Sequence, residues 1–326
     1  MRKKTGEVTD QVKVGFGVDL GGTTVKMACF DARGSLLDKW EIPTVTRDGG
    51  GQILPDIAAS IADYRQTKQL PREQIMGIGI GVPGPVTPDG TVNRCINLGW
   101  GTFNVSKALS ELTGLPVKAG NDASVAALGE CWKGSGDGCS NMVFVTLGTG
   151  VGGGIVADGR AILGTHGAGG EIGHMVLNRD EPEQCSCGKR GCVEQYCSAT
   201  GILRLTKQAL ASSDRPSSLR QVEKITCKDV FDAAKAEDPL ARQVLEQVYA
   251  YMGEFLANIC NVTDPELVVL GGGVSKAGQF LLDGVRPYFE KYVFYGAADV
   301  GLTLASLGND AGVYGAFRLV QIELGG

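Results

Sequence analysis

Three apolar runs in this chain end in clustered glycines, and that pattern constrains the fold more than any other feature. They are VGFGVDLGGTT at 14–24, MVFVTLGTGVGGG at 142–154 and LVVLGGGVS at 267–275. Each apolar run reads as a strand, and each glycine cluster as a tight turn at its end. Glycine fills 49 of 326 positions, about twice its usual share, without the three-residue period of collagen. In such turns the backbone comes close to a phosphate and presents its N–H groups, and threonine hydroxyls add donors. One such turn is no more than a hairpin. Three in one chain, the first preceded by Asp19, point to a bound nucleotide.

Two common phosphate motifs are excluded by context. Gly79, Gly81, Gly84 and Gly148, Gly150, Gly153 both fit G-x-G-x-x-G, but neither set opens a helix. The first runs into PVTPDG and the second into GIVADGR, and no G-x-x-x-x-G-K-[ST] is present. The candidate phosphate contacts are therefore Gly21, Gly22, Thr23 and Thr24, then Thr149 and Gly150, with Gly271, Gly272 and Gly273 in the third turn. Asp19 would hold Mg²⁺ or its waters, since that ion prefers carboxylate and phosphate oxygens. Lys26 is either a further phosphate contact or a solvated hairpin side chain.

Around the turns, the first glycine cluster joins VKVGFGVDL to VKMACFD as a β-hairpin, and 142–160 forms a second one. Helical periodicity marks 52–68, a segment capped by Asn104 and ended by Gly114, a helix from Asn121–Asp122 to Trp132, 239–262 and 309–320. Ser275 is a candidate helix cap. VDLGGTTVK echoes VTLGTGVGG, so two related halves are expected, divided near residue 120.

The net charge of −5 argues against a nucleic acid held by bulk charge. No apolar stretch reaches the ~20 residues of a membrane span. MRKKTGEVTDQ carries positive charge with no apolar core behind it, so no secretory signal is expected. A cytoplasmic location follows, and the ten cysteines are expected as thiols or metal ligands. His174, Cys185, Cys187 and Cys192, spaced H-x10-C-x-C-x4-C, make a closed tetrahedral set for zinc. Gly188 and Gly191 allow the tight turns of such a knuckle. A complete protein ligand set leaves no position for water, so the zinc would be structural; the alternative is a reduced, metal-free loop.

Together these pieces resemble the ROK family (repressors, open reading frames, kinases) of the hexokinase–actin superfamily, and within it the glucokinases. The matching segments are VDLGGTTVK at 18–26, GVPGPV at 81–86, GNDASVAALGE at 120–130, LGTGVGGG at 147–154, GAGGEIGHM at 167–175, CSCGKRGCVEQY at 185–196 and LGGGVS at 270–275. They come in the family's order and span about residues 14–318. The resemblance implies an α/β, two-lobed, actin-like (ribonuclease H-like) ATPase fold with a mixed sheet in each lobe and a central cleft. Residues 1–120 would form the small lobe, completed by the C-terminal helix 310–326, and 121–309 the large lobe with the knuckle.

The resemblance also implies ATP-dependent phosphorylation of glucose at its 6-hydroxyl. Asp122 would be the general base and, with Asn121, a sugar contact; Glu171, His174 and Glu194 would contact the sugar too. His174 would serve both zinc and substrate through its two ring nitrogens. The turns at 21–24 and 148–150 would cradle ATP phosphates, and Gly271–Gly273 would lie by the adenosine. Taken alone, Asp122 reads as a helix N-cap, and Glu171 and Glu194 as surface carboxylates. An N-cap position favours the ionised form, which suffices if the hydroxyl keeps its proton until late in the transfer. Mannose, fructose, N-acetylmannosamine or allose as acceptor, and polyphosphate as donor, stay open. The family's sugar-sensing regulators carry a winged helix ahead of the first glycine turn, and DLGGTT at residue 19 is expected to leave no room for one. The expected partners are the sugar and ATP, with no nucleic acid or membrane, and a homodimer is the symmetry default.

Overall fold

The computed structural model describes residues 13–324. Residues 1–12, on which the absence of a leader was argued, and 325–326 lie outside the described part. The chain divides into two compact units. One comprises the chain up to Asp122 together with the segment from Gly312; the other is Ala123–Ala311.

The first unit is built on strands β1 (Val14–Leu20), β2 (Thr24–Asp31), β3 (Leu36–Pro43), β4 (Ile75–Val82) and, after the short pair β5 (Thr91–Val92) and β6 (Phe103–Asn104), β7 (Val117–Asn121). Helix α1 (Ile53–Thr67) follows β3, and α2 (Val105–Thr113) follows β6. The sheet order is β3-β2-β1-β4-β7, antiparallel across β3-β2-β1 and parallel across β1-β4-β7. Ile53, Ile57 and Ile61, one helical turn apart, are buried on the sheet. The Asn104 side chain accepts the N–H of Lys107 at 2.7 Å and caps α2, and Gly114, with φ +67°, ends it.

The second unit continues with α3 (Asp122–Lys133), β8 (Met142–Leu147), β9 (Val151–Ala157), β10 (Arg160–Ala161), α4 (Glu194–Cys197), α5 (Ala199–Ser212), α6 (Cys227–Lys235), α7 (Pro239–Thr263), β11 (Leu267–Gly271), α8 (Gln279–Tyr292) and β12 (Gly301–Leu304). The last helix, α9 (Ala311–Leu324), returns to the first unit. The second sheet runs β10-β9-β8-β11-β12, with two antiparallel and then two parallel pairings. That is the order and sense of the first sheet, so the sequence echo marks a structural repeat.

Glycines on β1 and β4 let α9 lie directly on the first sheet. A Cβ at Gly17 would run into the carbonyl of Val313, and one at Gly79 into that of Ala316. One expectation is corrected. Ser275 caps no helix: it sits inside a 3₁₀ turn, where its hydroxyl donates to the Gly272 carbonyl at 2.8 Å, and α8 opens after Gly278. The φ of +74° at Gly278 turns the chain where a serine could not easily follow. Among the described residues no helix is long and apolar enough to cross a membrane.

Candidate functional site

In the first hairpin Asp19 and Lys26 are cross-strand neighbours, with Lys26 Nζ 3.9 Å from Asp19 Oδ2. Each side chain keeps about a quarter of its surface exposed, at 23% and 24%, so Lys26 is more than a solvated hairpin residue. Burial raises the Asp19 carboxyl above its ordinary range, and the Lys26 ammonium offsets only part of that. A divalent cation bound there would favour the ionised carboxylate and offset that cost, so the setting of Asp19 is compatible with the Mg²⁺ role expected of it. The turn itself is braced from β3's end: Thr44 donates its hydroxyl to the Gly21 carbonyl at 2.7 Å and its N–H to the Thr23 carbonyl at 2.9 Å. Gly22 and Thr23 at its tip are exposed.

The parallel strands bring Asn121 and Asp122 to the same sheet edge. Register pairs Asp19 with Gly81, and Gly81 with Gly120. In open α/β sheets the carboxyl ends of parallel strands are where ligands collect. Asn121 is buried, and its Nδ2 donates to the Gly84 carbonyl at 3.0 Å. Asp122 is the first residue of α3. Its charge lies close enough to Cys95 to help burial raise that thiol.

The second unit gathers the remaining candidates. Register sets Gly271 beside Thr146, and Gly272, with φ +83°, packs directly on the backbone of Leu147. The 271–273 turn therefore adjoins the 148–150 turn, where Thr149 is exposed. Residues 170–174 lie along β9: a Cβ at Gly170 would stand 2.6 Å from the Gly153 carbonyl. This places exposed Glu171 just before the 3₁₀ turn Ile172–His174.

His174, Cys185, Cys187 and Cys192 converge, with all four ligand atoms within 4.8 Å of one another. Cys187 and Cys192 sulfurs are 3.6 Å apart, and Cys185 Sγ lies 3.8 Å from His174 Nδ1. Bonds of about 2.3 Å in a tetrahedron would separate two sulfurs by about 3.8 Å, so the set has zinc-site dimensions. Gly188 and Gly191 adopt φ of +85° and +77° in the turns around it. Burial and the neighbouring thiols push Cys192 up to about 12, whereas exposed Cys187, despite partial desolvation, is held below the ordinary thiol value by the Lys189 N–H and the other two sulfurs. With Nδ1 turned to the cysteines, His174 has Nε2 on the far side of its ring.

Glu194 follows the knuckle at the start of α4. Its Oε2 accepts the Val151 N–H at 3.1 Å, and its Oε1 accepts the Ser186 hydroxyl at 2.7 Å. Buried Gln195 holds the loop from behind, its Oε1 accepting the N–H groups of Gly191 at 2.8 Å and Cys192 at 3.2 Å.

The model of the ROK family matches residues 15–323. This chain belongs to the ROK family. It is 44% identical over 310 residues to a glucokinase of Halalkalibacterium halodurans, covering 94% of each chain. It superposes on the ROK hexokinase of Thermus thermophilus with a TM-score of 0.82 at 30% identity, covering 96% of this chain and 99% of that one. It also matches a ROK family glucokinase from Streptomyces griseus, solved with glucose and AMPPNP, at a TM-score of 0.73 and 31% identity over 94% and 98% of the two chains. The fold is thus the α/β actin-like ATPase fold of the ROK sugar kinases.

Sequence reasoning missed several groups of this ROK site. The Gly84 carbonyl, the Ser186 hydroxyl and the Gln195 amide all act through contacts with residues distant in the chain or around a turn. Only Ser186 left a local signal, as a hydroxyl set between two candidate ligands.

Proposed function

We propose that this ROK protein is an ATP-dependent glucokinase, moving the γ-phosphoryl group of ATP to the 6-hydroxyl of glucose with Asp122 as general base. The carrying observation is the shared sheet edge, where Asp122 opens α3 at the end of β7, two residues past Gly120, which is in register through Gly81 with Asp19 of the first hairpin. The kinship with the H. halodurans glucokinase and with the S. griseus enzyme that binds glucose and AMPPNP supports the choice of glucose and ATP.

In this account the backbone of 21–24 and of 148–150 donates to phosphate oxygens, with the Thr23, Thr24 and Thr149 hydroxyls, and Lys26 adds positive charge. Asp19 would hold Mg²⁺, which when bound offsets phosphate charge. Gly271, Gly272 and Gly273 leave a surface without side chains against which the adenosine can rest. Asn121, anchored through Gly84, orients a sugar hydroxyl. Asp122 accepts the proton of the 6-hydroxyl as that oxygen bonds to the γ-phosphorus and the bond to the β-phosphate bridging oxygen breaks, leaving ADP. Because the transfer is loose, an ionised carboxylate that orients the alcohol and takes its proton late is sufficient. Glu171, His174 through Nε2, and Glu194 contact the remaining hydroxyls. His174, Cys185, Cys187 and Cys192 would hold Zn²⁺, which when bound pins the knuckle and the His174 ring.

The test is Asp122→Ala. Turnover should fall by about 10²–10⁴ while sugar affinity stays within about tenfold. Turnover near wild type would exclude Asp122 as the base.

A further inference from the structure

Within itself the 148–151 turn has one backbone tie, the Gly148 N–H donating to the Gly150 carbonyl at 3.0 Å. Thr149 is exposed, and a Cβ built at Gly148 meets nothing within 4 Å. Three of its backbone groups are gripped by residues 194–200, the stretch that follows the last cysteine of the knuckle. The Ala199 N–H donates to the Gly148 carbonyl at 2.9 Å, and the Thr200 hydroxyl donates to the Thr149 carbonyl. Glu194 Oε2 accepts the Val151 N–H at 3.1 Å and occupies the space where a side chain at Gly150 would stand.

Peptide planarity turns these grips into a direction. A carbonyl and the following N–H lie in one plane and point opposite ways. Holding the Gly148 carbonyl toward α5 therefore aims the Thr149 N–H away from it, and holding the Thr149 carbonyl does the same for the Gly150 N–H. Those are the donors a phosphate would meet.

Glu194 is also tied to the knuckle. Its other oxygen accepts the Ser186 hydroxyl at 2.7 Å, and Cys185 Sγ lies 3.7 Å from the same oxygen. The Ser198 hydroxyl donates to the Glu194 carbonyl at 2.6 Å and accepts the Gly201 N–H at 2.9 Å, locking α4 to the start of α5. A displacement of the 185–187 loop thus reaches the turn through one carboxylate and one short helix junction.

We propose that Ser186, Glu194 and Thr200 form a strap through which the order of the Cys/His knuckle sets the affinity of the 148–150 turn for nucleotide phosphates. Ser186 is a positioning residue in this device: it acts through Glu194. The inference rests on the phosphate role given above to Thr149 and Gly150.

The experiment is calorimetric titration of Mg-AMPPNP into the sugar-free full chain, for wild type, Ser186→Ala, Ser186→Thr and Thr200→Val, with bound metal measured on each sample. Ser186→Ala and Thr200→Val should each weaken AMPPNP about fivefold or more, the size of a modest coupling between sites. Bound metal should stay at the wild-type level, and Ser186→Thr should restore affinity. Wild-type affinity in either Ser186→Ala or Thr200→Val, or metal loss in Ser186→Ala, overturns the strap. A wild-type chain that does not bind AMPPNP overturns the phosphate role of the turn, and the strap with it.

Discussion

The two glycine hairpins share one pairing scheme and differ in what they carry. In the first, Asp19 faces Lys26 across the strands, four turn residues beyond the Leu20–Val25 pair being spanned by Gly21–Thr24. In the second, Thr146 faces Gly152, and the Leu147–Val151 pair encloses one residue fewer. The second hairpin holds its shape with no charged pair, braced by Ala199, Thr200 and Glu194. A hairpin of this kind therefore folds without a charged pair of its own, and a raised, partly buried carboxylate in the first copy is a burden that folding does not require. One scaffold has been used twice, once to place charge and once to aim backbone.

That contrast can be broken by experiment. The largest expected effect is at Asp19: Asp19→Asn should lower kcat by about 10²–10³, as loss of a charge-stabilising group does. Thr146→Val, at the corresponding place, should change kcat by less than about threefold. Equal effects in coupled ADP release would erase the distinction. Next is the brace of the second hairpin. Cys187→Ser should empty the knuckle of metal and lower the melting temperature by about 5 °C or more. Unchanged metal content and melting would remove zinc from the account.

A smaller effect separates the glycines around the two turns. At Gly312, near the start of α9, a Cβ would stand 2.6 Å and 2.8 Å from the Asp19 carboxylate oxygens. Gly312→Ala should cost about 1–3 kcal/mol in denaturant unfolding, the usual price of overpacking. Gly148→Ala, with nothing within 4 Å of its Cβ, should stay within about 0.5 kcal/mol. Comparable costs would mean that α9 does not confine Asp19.

The smallest effect is a pH dependence. Because the folded pKa of Asp19 is raised above its ordinary 3.8, the folded chain keeps that proton longer than the unfolded one. The contribution of Asp19 to stability should therefore fall as pH rises from about 3.8 through the raised value, and be constant above it. Asp19→Asn escapes the loss, so its ligand-free melting temperature should exceed wild type at neutral pH and converge with it toward acid. A gap that widens toward acid would contradict the burial account.

Much of this was legible in the sequence, for identifiable reasons. The hairpins announce themselves because clustered glycines follow apolar runs, and the repeat because one such cluster echoes the other. The knuckle was readable because its ligands lie close together in the chain. Strand β3 escaped notice: its LLDKWEIP alternates, but as an edge strand it is half exposed and charged. Helix α6 was missed although Thr226 and Asp229 form a capping box that a scan for T-x-x-D would have found. The dual anchoring of Glu194 had no such signal, because Val151 lies 43 residues away and only the folded chain brings it near.

The most direct measurement is coupled ADP release with Mg-ATP against glucose, mannose, fructose, N-acetylmannosamine and N-acetylglucosamine. Glucose should turn over with a kcat/KM about tenfold or more above every other sugar, a gap that a few hydroxyl contacts can supply. No turnover with glucose, or an equal or higher value with another of these sugars, would contradict the glucokinase reading.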